Sequence, residues 1–127
     1  MFGFAKRDTG AEGERHAAKF LKKLGYGIAR RNWRCTSGEV DIVAVDGEVL
    51  VFVEVKTRTG DGFGQGFESV GSRKQRHMSS VAQQFIKAHV RDASAMPRAR
   101  FDIVSVMMRE GQPPEITHIK DAFELGL

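Results

Sequence analysis

The chain has 127 residues, 41% hydrophobic and 28% charged, with 20 Lys plus Arg against 16 Asp plus Glu and a formal charge of +4. That length predicts one domain over 1–127 with a sizeable core, the composition excludes a disordered or fibrous chain, and the positive balance favours polyanionic partners, nucleic acid first. A single cysteine, Cys35, excludes internal disulfides and a Cys-rich zinc site; with no signal-like or membrane-spanning apolar run, a reducing, cytoplasmic setting without a membrane partner is expected.

Thr9-Gly10-Ala11-Glu12 has capping-box spacing, with Thr9 as N-cap. Ala17, Phe20, Leu21 and Leu24 then recur at helical intervals, and Gly25 suits a stop, which predicts a helix over about 10–24. Tyr26 to Trp33 reads as a first strand. Gly38–Val45 and Val49–Thr57 are rich in Val and Ile and read as two more, joined at Asp46-Gly47, a strong hairpin signal. Residues 58–71 are glycine-rich and read as a long flexible loop over the substrate. Gly62-Phe63-Gly64-Gln65-Gly66 lacks dinucleotide-fingerprint spacing, so no small-molecule cofactor is implied. Ser72-Arg73-Lys74-Gln75 has the spacing of a second capping box, opening a helix over about 73–91 with Met78, Val81, Ala82, Phe85 and Ile86 on one face. Phe101–Met108 and Glu115–Ile119 complete five strands. The order predicts an α/β fold: an antiparallel meander, a helical crossover to a parallel neighbour, and a mixed sheet flanked by helices.

The hairpin places the chemistry. A two-residue loop at Asp46-Gly47 would pair Val45 with Glu48, Asp41 with Phe52 and Glu39 with Glu54. Glu39, Asp41, Glu54 and Lys56 would then project from one face, Asp41 and Glu54 as diagonal neighbours about 7–8 Å apart. Glu54 interrupts Val49-Leu50-Val51-Phe52-Val53, a run apolar on both faces and suited to a buried strand. A surface Glu54–Lys56 ion pair is the bland reading, but Val43, Leu50 and Phe52 share that face and cover it. Clustered acids on a covered face need a cation, and a hard divalent ion such as Mg²⁺ suits one or two carboxylates plus a substrate phosphate. Arg30, Arg31, Arg34, Arg58, Arg73, Lys74, Arg76 and His77 lie close to these motifs and could form a phosphate-contacting rim, although basic runs are usually only solvated faces. Trp33 could stack on a base, but packing is the commoner fate of a lone Trp. His16, His77, His89 and His118 have no zinc-like spacing.

Asp41, twelve residues, then Glu54-Val55-Lys56 resembles the signature of the PD-(D/E)XK nuclease superfamily. The ordered string Gly13-Glu14, Ala17, Leu21, Gly25-Tyr26, Asn32-Trp33-Arg34, Gly38-Glu39-Val40-Asp41-Ile42-Val43-Ala44, Val51 to Arg58, Val70, Lys74, Arg76 and Arg100-Phe101-Asp102-Ile103-Val104 resembles the bacterial YraN-like family, catalogued largely as candidate endonucleases and similar to archaeal Holliday-junction resolvases. The resemblance implies a restriction-endonuclease-like core and Mg²⁺-dependent cleavage of DNA, branched or junction DNA included, with Mn²⁺ as a substitute ion. It implies that Asp41, Glu54 and the Val55 carbonyl ligate the metal, with Glu14 and Glu39 as further candidates, that Lys56 orients water or stabilises charge, and that Lys74 supports the site. Arg34, Arg58, Arg73, Lys74 and Arg76 are the expected nucleic-acid contacts, and junction cleavage would imply a homodimer. A fold does not guarantee its activity, so the rival expectation is a non-catalytic nucleic-acid-binding or assembly module.

Overall fold

A computed structural model describes residues 9–60, 71–90 and 96–123. Its elements are helix α1 (Thr9–Lys23), strands β1 (Gly27–Cys35), β2 (Gly38–Asp46) and β3 (Val49–Thr59), helix α2 (Ser72–His89), and strands β4 (Arg98–Met108) and β5 (Glu115–Phe123). They form one sheet in the order β1-β2-β3-β4-β5. All pairs are antiparallel except β3 with β4, which run parallel across the connection containing α2. This α/β architecture, a mixed five-stranded sheet with two flanking helices, is consistent with a restriction-endonuclease-like core. No helix among the described residues is long and apolar enough to cross a membrane.

Each helix covers one side of the sheet with the apolar stripe its sequence supplies. Ala17, Ala18 and Leu21 of α1 pack with Ile42, Ala44, Val51, Val53, Val104 and Val106. Met78, Val81, Ala82, Phe85 and Ile86 of α2 pack with Val40, Val43, Phe52 and Phe101. The alternation Val51, Phe52, Val53 thus serves two cores, which explains why the run is apolar at every position. Gly13 lets α1 approach β3: a Cβ there would lie 1.9 Å from Thr57 Oγ1. Trp33 meets Phe85 edge-on with ring centroids 5.2 Å apart, so it packs in the α2-side core.

Several boundaries depart from the sequence expectation, among them β5, which runs on to Phe123. Thr9 lies inside α1 rather than capping it. At α2 the N-cap is Gly71, with no side-chain cap hydrogen bond, in place of the expected Ser72 box. Arg58 and Thr59 belong to β3, whose parallel pairing with Met107 and Met108 extends it into the expected loop; residues 61–70 of that loop lie outside the described residues. The hairpin pairs Asp46 with Val49 and Val45 with Leu50, so its loop is Gly47-Glu48. Gly47 has φ +62°, and glycine at the first loop position suits a II′-type hairpin turn better than placing Asp46 there. The register therefore shifts by two residues, which keeps parity for the residues that pair, 42–46 with 49–53. Beyond the last pair, Ile42 with Val53, the count brings Asp41 level with Glu54 rather than Phe52. Glu39 accordingly does not face Glu54.

Candidate active site

β2 and β3 part company at the acids. Their pairing ends at Ile42 with Val53, while β3 continues beside β4 as far as Thr59. Glu54, Val55 and Lys56 therefore belong to a stretch held on one side only by β4. Asp41 stands at the mouth of this opening. Its Oδ2 accepts a hydrogen bond from the Val55 N–H at 2.8 Å, so a side chain takes the place that a backbone carbonyl would hold in a continued ladder.

The strand turns as it reaches Asp41. Val40 packs in the α2-side core and Ile42 in the α1-side core, although residues two apart in a regular strand share a face. Across the β1–β2 ladder, Arg31 pairs with Ile42 and Trp33 with Val40, which leaves Asn32 level with Asp41. Asn32 has φ +52°, a left-handed conformation inside a strand.

The surroundings of Asp41 are acidic. Burial pushes its carboxyl up to about 6, the Val55 N–H works in the other direction, and the charges of Glu14, Glu54 and Glu39 raise it further. Glu14 reaches this neighbourhood from α1, half-buried, one residue beyond the Gly13 contact with β3.

Glu54 is divided between two fates. Its Oε1 is ion-paired with Lys74 Nζ, from the first turn of α2. Its Oε2 is buried and has no hydrogen-bond partner. An acceptor left in that state costs free energy unless a ligand completes it. Lys56 follows two residues along β3, half-buried, level with Ser105 of β4.

A cleft of about 510 Å³ opens between the start of β2 and the first turns of α2, lined by Ser37, Gly38, Glu39, Glu54, Arg73, Lys74 and His77, with Met78 and Val81 at its apolar side. Of the expected nucleic-acid contacts, Arg73 and Lys74 line it. Arg76 is exposed on α2 and does not, and Arg58 is half-buried in β3. Arg34 pairs with Glu39 at 2.5 Å on the exposed rim. Glu39, so paired, still lines the cleft alongside Glu54.

The donor set suits a hard cation in part. Asp41 lies in acidic surroundings, and Glu54 Oε2 is unsatisfied. Among the described residues no three His, Cys, Asp or Glu side chains close into a ligand group. Two carboxylates completed by water and phosphate oxygens match the habits of Mg²⁺ rather than those of a closed structural site. Sequence reasoning brought Asp41, Glu54 and Lys56 to one region. It missed Asn32, whose only signal was an Asn in a strand, and the Val55 N–H, which carried no signal.

The profile of "Uncharacterised protein family UPF0102" matches residues 13–106, from the Gly13 contact to near the end of β4. A UPF0102 protein of Rhodococcus opacus (strain B4) is 46% identical over 114 residues, covering 90% of this chain and 94% of the relative. One from Geotalea uraniireducens (strain Rf4) is 47% identical over 121 residues, 94% and 92% of the two chains. A third, from Caldicellulosiruptor saccharolyticus, is 45% identical over 119 residues, 93% and 98%. Coverage of nearly the full length on both sides, at identities this high, places the chain in the UPF0102 family.

Proposed function

We propose that this chain is a PD-(D/E)XK-type endonuclease that hydrolyses phosphodiester bonds in DNA with Mg²⁺. The observation that carries the reading is Glu54 Oε2, a buried oxygen with no partner, next to a carboxyl whose acidity is suppressed by burial and further by its acidic neighbours. Asp41, Glu54 and the Val55 carbonyl would hold the ion, with Glu14 completing its surroundings directly or through water. Mg²⁺ bound there would neutralise phosphoryl charge and acidify a water. Lys56, on the same strand as Glu54, supplies a positive charge for the oxyanion that develops during in-line attack. Arg73 and Lys74 hold phosphates at the cleft wall, where the first turn of α2 carries no acidic residue to repel them. Branched or junction DNA is the substrate class suggested by the resemblance to junction resolvases, and a homodimer with two such clefts would serve two strands. Sedimentation that gives only monomer at working concentration would remove the dimer.

The test is a panel of linear, flapped and four-way DNA with Mg²⁺, run with wild type, Glu54→Ala and Lys56→Ala. Cleavage lost in both variants supports the assignment, and cleavage that survives both defeats it.

One observation favours a second reading, a non-catalytic nucleic-acid-binding module. Lys74 already neutralises one oxygen of Glu54, and among the described residues the acids do not close into a three-ligand group. Calorimetric titration with Mn²⁺ separates the two: binding that Asp41→Asn abolishes supports the nuclease, and salt-sensitive DNA binding without any metal uptake supports the module.

A further inference from the structure

Asn32 sits level with Asp41 in the β1–β2 ladder, between the pairs Arg31 with Ile42 and Trp33 with Val40. Its φ of +52° is unusual for any residue but glycine, and within an extended strand it turns the chain. β2 changes face at the same level, with Val40 in one core and Ile42 in the other. Asp41, between them, leaves the pleat and reaches the Val55 N–H. Two paired strands thus deviate together at one rung, and that rung carries the acid.

We propose that Asn32 is a positioning residue whose left-handed backbone twists the β1–β2 ribbon and aims Asp41 into the opening between β2 and β3. A flat pleat would leave Asp41 pointing squarely to one side, with β2 free to continue its ladder on β3. Asparagine fits the role because it tolerates the left-handed region better than other residues with a side chain, while glycine accepts it without penalty. The side chain is exposed, so what matters at this position is the backbone conformation and not a contact. The consequence for metal affinity rests on the metal reading above; the consequence for the Val55 amide does not.

The experiment compares wild type with Asn32→Gly, Asn32→Ala and Asn32→Val. Hydrogen exchange at the Val55 amide, measured in chelator, reports the Asp41 contact without metal. Calorimetry with Mn²⁺ reports the carboxylate as a ligand. Asn32→Gly is expected to match wild type in both. Asn32→Val, which resists positive φ, is expected to speed Val55 exchange relative to neighbouring β3 amides and to weaken Mn²⁺ binding by about tenfold, the usual loss when a ligand's support is removed. Asn32→Ala falls between, and it carries the test where the valine variant does not fold. Ile116→Ala, remote from the site, controls for lost stability and should leave Mn²⁺ affinity unchanged. Wild-type Val55 protection and affinity in both Asn32→Ala and Asn32→Val would overturn the proposal, as would Asn32→Gly behaving like valine. A wild-type protein that takes up no Mn²⁺ refutes the metal reading alone, and the Val55 comparison still decides the role of Asn32.

Discussion

Asp102, on the α1 side of β4, and Asp41, in the breach between β2 and β3, are both withdrawn from solvent on folding, and they meet opposite surroundings. Asp102 is fully buried. Its oxygens accept from Arg100 Nε at 3.0 Å, from the Asp121 N–H at 2.9 Å and from His118 at 2.8 Å. Arg100 is tied in turn to Asp46 at 3.0 Å and to the Tyr26 hydroxyl at 2.6 Å. Desolvation works against the Arg100 charge, but Asp102 and Asp46 hold its pKa above the usual value. Asp41 has one backbone donor and three acidic neighbours. The first carboxylate is finished by the protein; the second is left for something else to finish. Buried polar groups that serve the fold are satisfied, and those that serve chemistry are held ready at a cost.

The comparison breaks most visibly if Asp102→Ala is mild. Removing it strands a half-buried guanidinium, an imidazole and a backbone N–H, and a loss of about 3–5 kcal/mol in urea unfolding is expected. Asp41→Asn should act in the opposite direction. In the folded chain Asp41 titrates near 6 instead of 3.8, so between those values the folded state holds a proton that the unfolded state has released. Stability in chelator therefore falls as pH rises through that window. Asparagine removes the penalty, giving a gain of about 2 kcal/mol at pH 7 after allowance for partial exposure, and the gain closes below pH 4. Millimolar Mn²⁺ should raise the wild-type melting temperature at pH 7 by several degrees by mass action, and should not raise that of Asp41→Asn. A smaller effect sharpens the α1 side: Gly13→Ala pushes the helix off Thr57 and should cost about 1–3 kcal/mol, read by thermal melting. The smallest is Arg109→Ala, which opens an exposed 2.6 Å pair with Glu115 and should change stability by no more than about 0.5 kcal/mol.

The fold was legible because each element carries one dominant period. Val81, Phe85 and Ile86 could be nothing but a helix face, and Val51-Phe52-Val53 nothing but a doubly covered strand. A two-residue slip in register leaves parity intact where β2 and β3 pair, but the change of face between Val40 and Ile42, which bears on Glu39 and Asp41, carried no signal in the sequence. What stayed hidden depends on backbone conformation or on long-range meeting. Positive φ at Asn32 is a tertiary outcome, not a propensity. The Lys74 contact with Glu54 needs the crossover to bring α2 back over the sheet. The Asp102 network joins residues from both ends of the chain, and Asp102 in the sequence was only one polar letter in an apolar strand.

β1 is an edge of the sheet, and its description bears on how copies of the chain can meet. Its ladder slips at Ala29 and turns at Asn32, and Arg30, Arg31 and Arg34 stand exposed along it. An edge that is bent and studded with guanidinium groups resists adding another strand. The arginines that make this margin attractive to a polyanion thus also guard it against edge-to-edge aggregation.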